Sequence, residues 1–406
     1  MICLKNYAKN PKKWFPNYII YFNCPFYRTF DIAIAFRYIL DILKHAGKNE
    51  MKIAIDIGTT NIEAALCDNN SILERIQSAN LLSQFGLDVM TRINKALDGN
   101  ADVMCHVLRN QLKDIISSLL STICTERIPV FASNDLISVS LDIACNTPMT
   151  YILMNYDCSN LAAFPFSPVC TDIIHTDTDS LGLCFERNFP VSICPGLSAF
   201  IGGDIVSGLS SLSLEKDKNI LFVDMGTNAE MVYITKDTAY ITSAAAGPAF
   251  ETCGPGMASE IVSLLSDMLD NKIIDETGLL QNDFFETGYD CHGIHISQKK
   301  IRDIQMAKSA IRSGIDIILN KTEPDIMVIS GSFGDNLNYD AAVKIGLIPD
   351  IGKTKIVFAG NTSLKGAVNG FGFSKLPNII EDKNIEEIFL ANHNDFGNSF
   401  IANMNF

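Results

Sequence analysis

The chain carries two copies of one hydrophobic pattern, and each copy predicts a strand, a tight turn and a second strand. In the first copy, strands are predicted at Lys52 to Ile57 and Ile62 to Asp68, with a short third strand at Ser71 to Arg75. The second copy places its strands at 220–225, 229–235 and 238–243. Equivalent positions lie 168 residues apart, so the pattern predicts a duplicated supersecondary unit rather than a short tandem repeat.

Apolar residues at helical spacing follow each copy. Residues 88–97 and 108–124 predict helices after the first copy, and residues 300–320 predict a long helix after the second. The apolar runs 136–145 and Asp325 to Ser330 have the length of buried strands. Strand–turn–strand units that each feed helices indicate an α/β protein in which two similar domains face one another.

Residues 1–50 differ from the rest in composition. They hold 8 Lys and Arg against 3 Asp and Glu, and 11 of the chain's 36 aromatic residues. Their apolar stretch at 17–27 is too short and too interrupted to cross a bilayer. A membrane-surface anchor and an upstream extension without a role are both consistent with this composition. The strand predicted directly after Met51 favours the second interpretation.

The remaining chain divides into two domains and a tail. The predicted boundaries are 51–215 for the first α/β domain with an inserted region, 216–375 for the second α/β domain, and 376–406 for a polar tail. Because the tail is rich in Asn and Asp, we expect it to fray.

Charge and cysteine content exclude several function classes. A net charge of −14 leaves no basic face that could neutralise phosphates, so no nucleic-acid partner is expected. The 12 cysteines are scattered without a CxxC pair, so the spacing predicts neither a zinc site nor an iron–sulfur cluster. Without a clear secretory signal, the sequence predicts a cytoplasmic protein whose thiols are reduced and mostly buried.

Both tight turns carry residue types that bind magnesium and phosphate. An aspartate at the strand end, Asp56 or Asp224, can hold Mg²⁺ through the ion's waters. A glycine after it lets a phosphate approach the backbone, and hydroxyl or amide side chains add hydrogen-bond donors. These residues are Gly58, Thr59 and Thr60 in the first turn and Gly226, Thr227 and Asn228 in the second. The same residue types also suit plain hairpin turns, but two copies in equivalent positions favour a clamp for a triphosphate and its metal.

A third glycine turn closes the apolar run that ends at Ser330. Its residues are Gly331, Ser332, Phe333 and Gly334. Such a turn lets an adenine ring lie against the backbone and places a helix start beside it. Together the three turns predict ATP and Mg²⁺ as ligands, with Asp56 and Asp224 as metal ligands and catalytic residues.

The order of phosphate loop, second phosphate loop and adenosine loop resembles the acetate and sugar kinase/Hsc70/actin superfamily. That resemblance implies two ribonuclease-H-like (actin/Hsc70-type) α/β domains with a nucleotide cleft between them. Six further segments are similar to the reductive activators of corrinoid proteins. They are NLLSQFGLDVMTRINKA (80–96), NTPMTYILMNYD (146–157), AAFPFSPV (162–169), AAAGPAFE (244–251), DIQMAKSAI (303–311) and GNTSLKGA (360–367).

The closer resemblance runs from about residue 51 to about 375. It implies an ATPase whose hydrolysis drives the return of cob(II)alamin to cob(I)alamin in a corrinoid protein of a methyl-transfer system. It also implies a homodimer, and it assigns binding of the corrinoid partner to the region inserted in the first domain.

The chain departs from this family in three places. Usual members carry an N-terminal [2Fe–2S] ferredoxin domain with four closely spaced cysteines, whereas Cys3 and Cys24 stand alone in their region. We therefore expect no iron–sulfur cluster in this chain and a separate reductant such as a ferredoxin. Tyr151 replaces a frequent histidine and Cys145 a usual glycine, which is consistent with altered partner choice and with neutral core exchange alike.

Other residues have two interpretations each. Glu251 either orients the attacking water during ATP hydrolysis or caps a helix start. Lys308 either reaches the nucleotide or is solvated on its helix. Cys291, His292 and His295 are close in sequence but lack a fourth ligand, which favours a solvated turn over a metal site.

Two alternatives to the activator hypothesis remain open. A small-molecule kinase of the same superfamily would need a catalytic aspartate between the phosphate loops, for which Asp142 and Asp204 are the candidates. A binding module would use nucleotide only to switch its affinity for the corrinoid protein, with no electron transfer through this chain.

Overall fold

The computed structural model describes residues 50–126, 138–250, 258–291, 293–331, 337–371 and 376–406. All of them belong to one compact unit. The N-terminal extension lies outside the described residues apart from its last position.

The first sheet is built by the first copy of the repeated pattern. Its strands are β1 (Glu50–Ile57), β2 (Asn61–Asp68), β3 (Ser71–Ala79), β4 (Ser138–Cys145), β5 (Ile174–Asp177) and β6 (Pro190–Ile193). Their order is β3-β2-β1-β4-β6-β5. The first three strands form an antiparallel meander, and β4 runs parallel to β1, so that Ile57 and Cys145 end side by side.

The second copy builds a sheet of the same design. Its strands are β7 (Ile220–Met225), β8 (Ala229–Ile234), β9 (Thr238–Ala244), β12 (Ile326–Gly331), β13 (Lys355–Gly360) and β14 (Asn384–Glu387); β10 (Tyr289–Cys291) and β11 (Ile294–Ile296) form a separate hairpin. The order is β13-β12-β7-β8-β9-β14, with β12 parallel to β7. The series β9-β8-β7-β12-β13 repeats β3-β2-β1-β4-β6, which confirms the predicted duplication.

Helices connect and cover the sheets. They are α1 (Val89–Lys95), α2 (Ala101–Glu126), α3 (Thr147–Met154), α4 (Ser159–Ala162), α5 (Gly203–Ser210), α6 (Ala258–Asp270), α7 (Phe284–Thr287), α8 (Gln298–Leu319), α9 (Tyr339–Lys344), α10 (Thr362–Asn369) and α11 (Phe396–Ala402). Predicted and observed bounds agree for the long helix α8. Helix α2 begins earlier than predicted because the chain resumes helical geometry directly after Gly99, whose φ is +90°.

The prediction that the tail frays is wrong. Strand β14 adds to the second sheet in parallel with β9. The buried Lys308 donates to the carbonyl oxygens of Asn403 and Asn405, both at 2.6 Å, and its ammonium lies 5.5 Å from the centre of the Phe406 ring. Lys308 is therefore neither solvated nor a nucleotide contact. Burial, with repulsion from Arg312, lowers its pKa to about 8.

Two helices exchange places between the sheets. Helix α10 follows strand β13 of the second sheet in sequence, yet Leu364 and Ala367 pack on Ala54 and Ala144 of the first sheet. Helix α5 follows the first sheet, and its apolar face packs with the second. Their backbones touch where they cross, because a Cβ at Gly366 would lie 2.0 Å from the Ser207 carbonyl oxygen. The part of the protein built on the first sheet is hereafter the first lobe, and the part built on the second sheet is the second lobe. The crossing of the two helices holds the lobes around a shared cleft.

No helix within the described ranges has the length and apolar character needed to span a membrane. The described cysteines are all free thiols, and five of them are buried: Cys67, Cys105, Cys145, Cys158 and Cys194. This agrees with the thiols expected from their scattered positions.

Candidate functional site

The carboxylate of Asp56 is held by the start of helix α10. Asn361 caps that helix through its Oδ1, which accepts from the Leu364 amide at 2.9 Å. The same side chain donates from Nδ2 to Asp56 Oδ2 at 2.8 Å, and Ser363 Oγ donates to Asp56 Oδ1 at 2.7 Å. A residue 305 positions away in sequence thus fixes the orientation of the first-lobe carboxylate.

The carboxylate of Asp224 is tied to the same helix through one intermediate. Ser330, at the end of β12, donates from Oγ to Asp224 Oδ2 at 2.8 Å. Ser330 Oγ also lies 2.6 Å from the hydroxyl of Thr362, the first residue of α10. The start of α10 therefore joins the two strand-end aspartates, one from each lobe, in a single hydrogen-bond network.

Burial disfavours the ionised form of both aspartates in the absence of a bound cation. Burial raises the pKa of Asp56 to about 6, opposed by the bonds from Ser363 and Asn361 and assisted by repulsion from Glu63 and Asp224. Burial likewise raises the pKa of Asp224 to about 6 against the bond from Ser330. Both side chains still keep some solvent access from the cleft. A cation placed there would be strongly favoured.

A glutamate faces each aspartate across its hairpin, at Glu63 opposite Asp56 and at Glu230 opposite Asp224. The two glutamates differ in their partners. Glu63 forms an ion pair with Arg75 and accepts from Asn361 at 3.0 Å.

Glu230 makes no ion pair within the described part of the chain. Burial, with repulsion from Asp204 and Asp224, raises its pKa well above the usual range. Asp204, in the first turn of α5, joins this group: burial and then repulsion from Asp224 and Asp56 raise its pKa to about 7. The cleft thus gathers carboxyl groups from both lobes, and a bound cation would favour their ionised forms.

The first turn is held rigid from behind. Buried Asn80 donates from Nδ2 to the Gly58 carbonyl at 2.8 Å and from its backbone amide to the Thr60 carbonyl at 2.8 Å. The fully buried Arg92 donates from Nη2 to the Thr59 carbonyl at 2.7 Å. Because the C=O and N–H of one peptide plane point in opposite directions, the amides of Thr59 and Thr60 face away from Asn80 and Arg92. That orientation suits anion binding.

Arg92 also places a positive charge behind this turn. Burial lowers its pKa to about 10, which leaves the guanidinium protonated at neutral pH. Its charge favours an anion at the turn in front of it.

The two turns meet across the cleft. Thr60 Oγ1 lies 3.3 Å from Thr227 Oγ1. Close approach requires glycine at two positions: a Cβ at Gly58 would lie 2.9 Å from the Asn61 carbonyl oxygen, and a Cβ at Gly331 would lie 2.4 Å from the Met225 carbonyl oxygen. Gly331, with φ +86°, therefore brings the end of β12 directly against the second turn.

The structure brings together most of the predicted site residues that it describes. The two aspartates, Gly58, Gly226, Gly331 and the hydroxyl residues of both turns lie at one end of the two sheets; Thr59 accepts from Asn146 at 3.2 Å, and Asn228 hydrogen-bonds Glu230. Glu251 and three predicted adenosine-loop residues, Ser332, Phe333 and Gly334, lie outside the described residues.

Several residues of the network were not predicted. Asn361, Ser363 and Ser330 bind the aspartates, and Asn80 and Arg92 fix the first turn. The only sequence signal for them was their position in the segments 80–96 and 360–367 or at a predicted strand end. None of those signals assigned them a partner.

Asp142 and Asp204, the two candidates for the catalytic aspartate of a kinase, lie in different surroundings. Asp142 forms an ion pair with Lys52 at 3.3 Å, and Lys52 also donates to the Val368 carbonyl at 3.2 Å. Asp204 instead shares the cleft with both strand-end aspartates. Of the residues near the second hairpin, His295 pairs with Asp290 at 2.9 Å, and His292 lies outside the described residues.

The donors in the cleft suit a hard cation. Among the described residues, no three His, Cys, Asp or Glu side chains are arranged to enclose a metal ion directly. Asp56 and Asp224 are oxygen donors with raised pKa values, and Mg²⁺ usually keeps several waters and takes one or two carboxylates. The two aspartates therefore fit Mg²⁺ held largely through its waters.

The duplicated meander, the exchanged helices and the paired acidic turns define an α/β protein of the acetate and sugar kinase/Hsc70/actin class, with two ribonuclease-H-like domains. Residues 51–217 match the family described as the RACo middle region, and residues 218–259 and 252–406 match the C-terminal domain of RACo, the ASKHA domain. The chain belongs to the family of reductive activators of corrinoid proteins.

Two relatives support this assignment. The corrinoid activation enzyme RamQ of Eubacterium limosum is 25% identical over 410 residues, which cover 84% of this chain and 68% of that protein. The solved structure of a reductive activator for corrinoid, iron–sulfur protein has a TM-score of 0.74 and 25% identity, covering 89% of this chain and 67% of that one. The chain thus spans about two thirds of the length of both relatives.

Proposed function

We propose that this protein is an ATP-hydrolysing activator that couples nucleotide turnover to reduction of cob(II)alamin to cob(I)alamin in a corrinoid protein. One observation carries the nucleotide part of the proposal: the strand-end aspartates of both lobes share a hydrogen-bond network at the start of α10. The family assignment supports the corrinoid protein as partner.

In the proposed complex, Asp56 and Asp224 hold Mg²⁺ through its waters. The ion supplies positive charge to the phosphates when bound. Gly58, Thr59 and Thr60 contribute backbone amides and hydroxyls on one side, and Gly226, Thr227 and Asn228 do so on the other. The turn that begins at Gly331 receives the adenosine.

Hydrolysis of ATP by water needs positioning and charge stabilisation more than covalent chemistry from the protein. The charged Arg92 behind the first turn increases the positive potential felt by an anion there. Glu251 remains a candidate for orienting the attacking water. Asp204 is a second carboxyl group in the cleft, and its raised pKa suits proton transfer near neutral pH.

Nucleotide turnover would act on the corrinoid partner by moving the lobes. Because each lobe supplies one phosphate turn and one exchanged helix, a change at the γ-phosphate is felt by both sheets. ATP and water give ADP and phosphate, while one electron from a separate reductant, such as a ferredoxin, converts Co(II) to Co(I). We propose that the protein acts in the cytoplasm as a homodimer.

The proposal is tested with the purified chain, MgATP, a Co(II) corrinoid protein of a methyl-transfer system and Ti(III) citrate as reductant. The Co(I) absorption band and released phosphate are followed together. We expect Co(I) to accumulate only with ATP. Asp224→Asn should lower phosphate release at least tenfold, whereas the exposed Asp382→Asn should not. Equal Co(I) formation with and without ATP would reject the activator function.

The same mixture separates the alternatives. A small-molecule kinase, which the cleft position of Asp204 would serve, transfers phosphate to an added metabolite and leaves the cobalt spectrum unchanged. A nucleotide-switched binding module changes its affinity for the corrinoid protein with ATP but yields no ATP-dependent Co(I).

A further inference from the structure

A cluster of aromatic rings joins the two lobes at the surface. The ring of Phe166 lies 5.0 Å from that of Phe200 and 6.2 Å from those of Phe164 and Phe389, measured between centroids. Phe164 and Phe389 are also 6.2 Å apart. Phe164, Phe166 and Phe200 belong to the first lobe, whereas Phe389 follows β14 in the second. These four residues, with Val169 three positions beyond Phe166 in the same segment, are hereafter the aromatic patch.

Two members of the patch are exposed and the other three are half-buried. None of the five is charged, although Glu387 of the second lobe lies two positions before Phe389. Phe164 is 68% exposed and Val169 is 66% exposed. The segments that supply the first-lobe residues, 158–171 and 188–203, contain no Asp, Glu, Lys or Arg over 14 and 16 residues, although 19% of the whole chain is charged. Depletion of charge around exposed aromatic rings is typical of the centre of a protein–protein interface.

The backbone under the patch is held in one conformation. Phe166 has φ +55°, in the left-handed region, which is unfavourable for a bulky side chain by about 1 kcal/mol. The buried Tyr151 accepts a hydrogen bond at its hydroxyl from the Val169 amide. The segment that carries the exposed rings is therefore anchored to helix α3 and pre-organised for binding.

The patch is also connected to the first phosphate turn. Asn146 donates to the Thr59 hydroxyl at 3.2 Å, and the next residue, Thr147, donates from Oγ1 to the Ser198 carbonyl at 2.7 Å. Ser198 in turn donates from Oγ to Glu387 at 2.6 Å, in strand β14 of the second lobe. Phe200 and Phe389 flank this connection, so three hydrogen bonds link the first turn to residues beside the patch.

We propose that the aromatic patch is the surface on which the corrinoid protein docks. The assignment rests on the proposed function for the identity of the partner, and on the geometry of the patch for its place. A surface that spans both lobes changes shape when the lobes move, which is what an activator needs in order to bind one state of its partner and release another.

The size of the patch favours this partner over a second copy of the chain. The exposed part of Phe164 amounts to about 130 Å², taking about 200 Å² for a complete side chain, so the patch as a whole supplies a few hundred Å². A stable dimer buries roughly 800 Å² on each partner. A small uncharged centre suits a partner that must dissociate after each activation better than a permanent contact between two copies of the chain.

The test compares Phe164→Gln and Val169→Gln, singly and together, with Phe285→Gln, an exposed phenylalanine outside the patch. Affinity for the Co(II) corrinoid protein is measured by calorimetry with the full chain, and affinity for MgATP is measured without the partner. We expect Phe164→Gln to weaken corrinoid-protein binding about tenfold and the double variant to weaken it further, with Phe285→Gln unchanged. Phe164→Leu should recover part of the loss.

The outcomes separate the patch from the proposed function. If the patch variants bind the corrinoid protein as tightly as the wild type does, the docking proposal is overturned and the proposed function stands. If the patch variants bind the corrinoid protein more weakly, but the wild type yields no ATP-dependent Co(I), the docking proposal is supported and the reductive part of the proposed function is rejected. Loss of self-association in sedimentation, with corrinoid-protein binding retained, would make the patch a dimer contact and overturn the proposal.

Discussion

The two strand-end aspartates oppose folding when no cation balances them. An aspartate normally ionises near pH 3.8, but burial raises the pKa of Asp224 to about 6 in the folded protein. The native protein therefore holds a proton between about pH 4 and pH 6 that the unfolded chain has already released. The contribution of Asp224 to the free energy of unfolding falls as the pH rises through this window and is constant above it.

We expect Asp224→Asn to stabilise the protein above pH 6 in the absence of nucleotide. The amide keeps an acceptor for Ser330 and removes a charge that burial disfavours, so the gain should be on the order of 1–3 kcal/mol at pH 8 and disappear by pH 4. Urea unfolding at pH 4, 6 and 8 measures it. Asp382→Asn is the control, and a gain independent of pH would show that charge is not the cause.

The same substitution should remove the stabilisation given by MgATP. Ligand that binds only the folded state raises the unfolding free energy according to its concentration over its Kd. Adding MgATP in excess over its Kd should raise the melting temperature of the wild type and not that of Asp224→Asn. Equal shifts in the melting temperature of both proteins would show that Asp224 does not contribute to nucleotide binding.

Gly331 is a second residue whose role depends on its close neighbours. Its φ of +86° resembles the +90° of Gly99, but a Cβ at Gly99 would meet nothing within 4 Å. Gly99→Ala should therefore destabilise by about 1 kcal/mol through its backbone alone. Gly331→Ala should destabilise by several kcal/mol because its Cβ would press on Met225 and Asp224. Equal losses in urea unfolding would contradict the close approach.

At the scale of elements, the sequence predicted what depends on local pattern. The first two strands of each meander and helix α8 lie within two residues of their predicted bounds, because their apolar residues form a local pattern along the chain. Strand β3 runs to Ala79, four residues beyond the predicted Arg75. Strand β14 was missed because its four residues pair in parallel with a strand about 145 positions earlier, at Tyr240 and Glu386. The role of α10 was missed for the same reason: its hydrogen bonds join positions some 300 residues apart.

Helix α3 carries a tyrosine whose place the structure explains. Tyr151 is buried in α3 and accepts a hydrogen bond at its hydroxyl from the Val169 amide. Tyr151→Phe should raise hydrogen exchange at the Val169 amide and lower stability by about 1 kcal/mol. If the patch docks the corrinoid protein, this variant should also weaken that binding a few-fold. Unchanged exchange at Val169 would contradict the anchoring role of the tyrosine.

At the scale of the whole molecule, the duplication explains why one cleft contains two acidic turns. Each lobe supplies a carboxylate, a glycine turn and a helix that packs on the other lobe's sheet. Neither lobe can close around a ligand without moving the exchanged helices, whose crossing at Gly366 leaves no room for a side chain. Ligand binding at the turns and the relative placement of the lobes are therefore linked quantities.

A cross-link between the turns tests that linkage. Because Thr60 Oγ1 lies 3.3 Å from Thr227 Oγ1, cysteines at both positions should form a disulfide under mild oxidation. A polyphosphate held by both turns has to separate or cover these side chains, so MgATP should slow the cross-link. The oxidised Thr60→Cys/Thr227→Cys protein should lose MgATP binding and regain it on reduction. Thr60→Cys alone controls for the 12 native cysteines, and linked peptides are identified by mass spectrometry. Cross-linking at the same rate with and without MgATP would show that nucleotide does not enter between the turns.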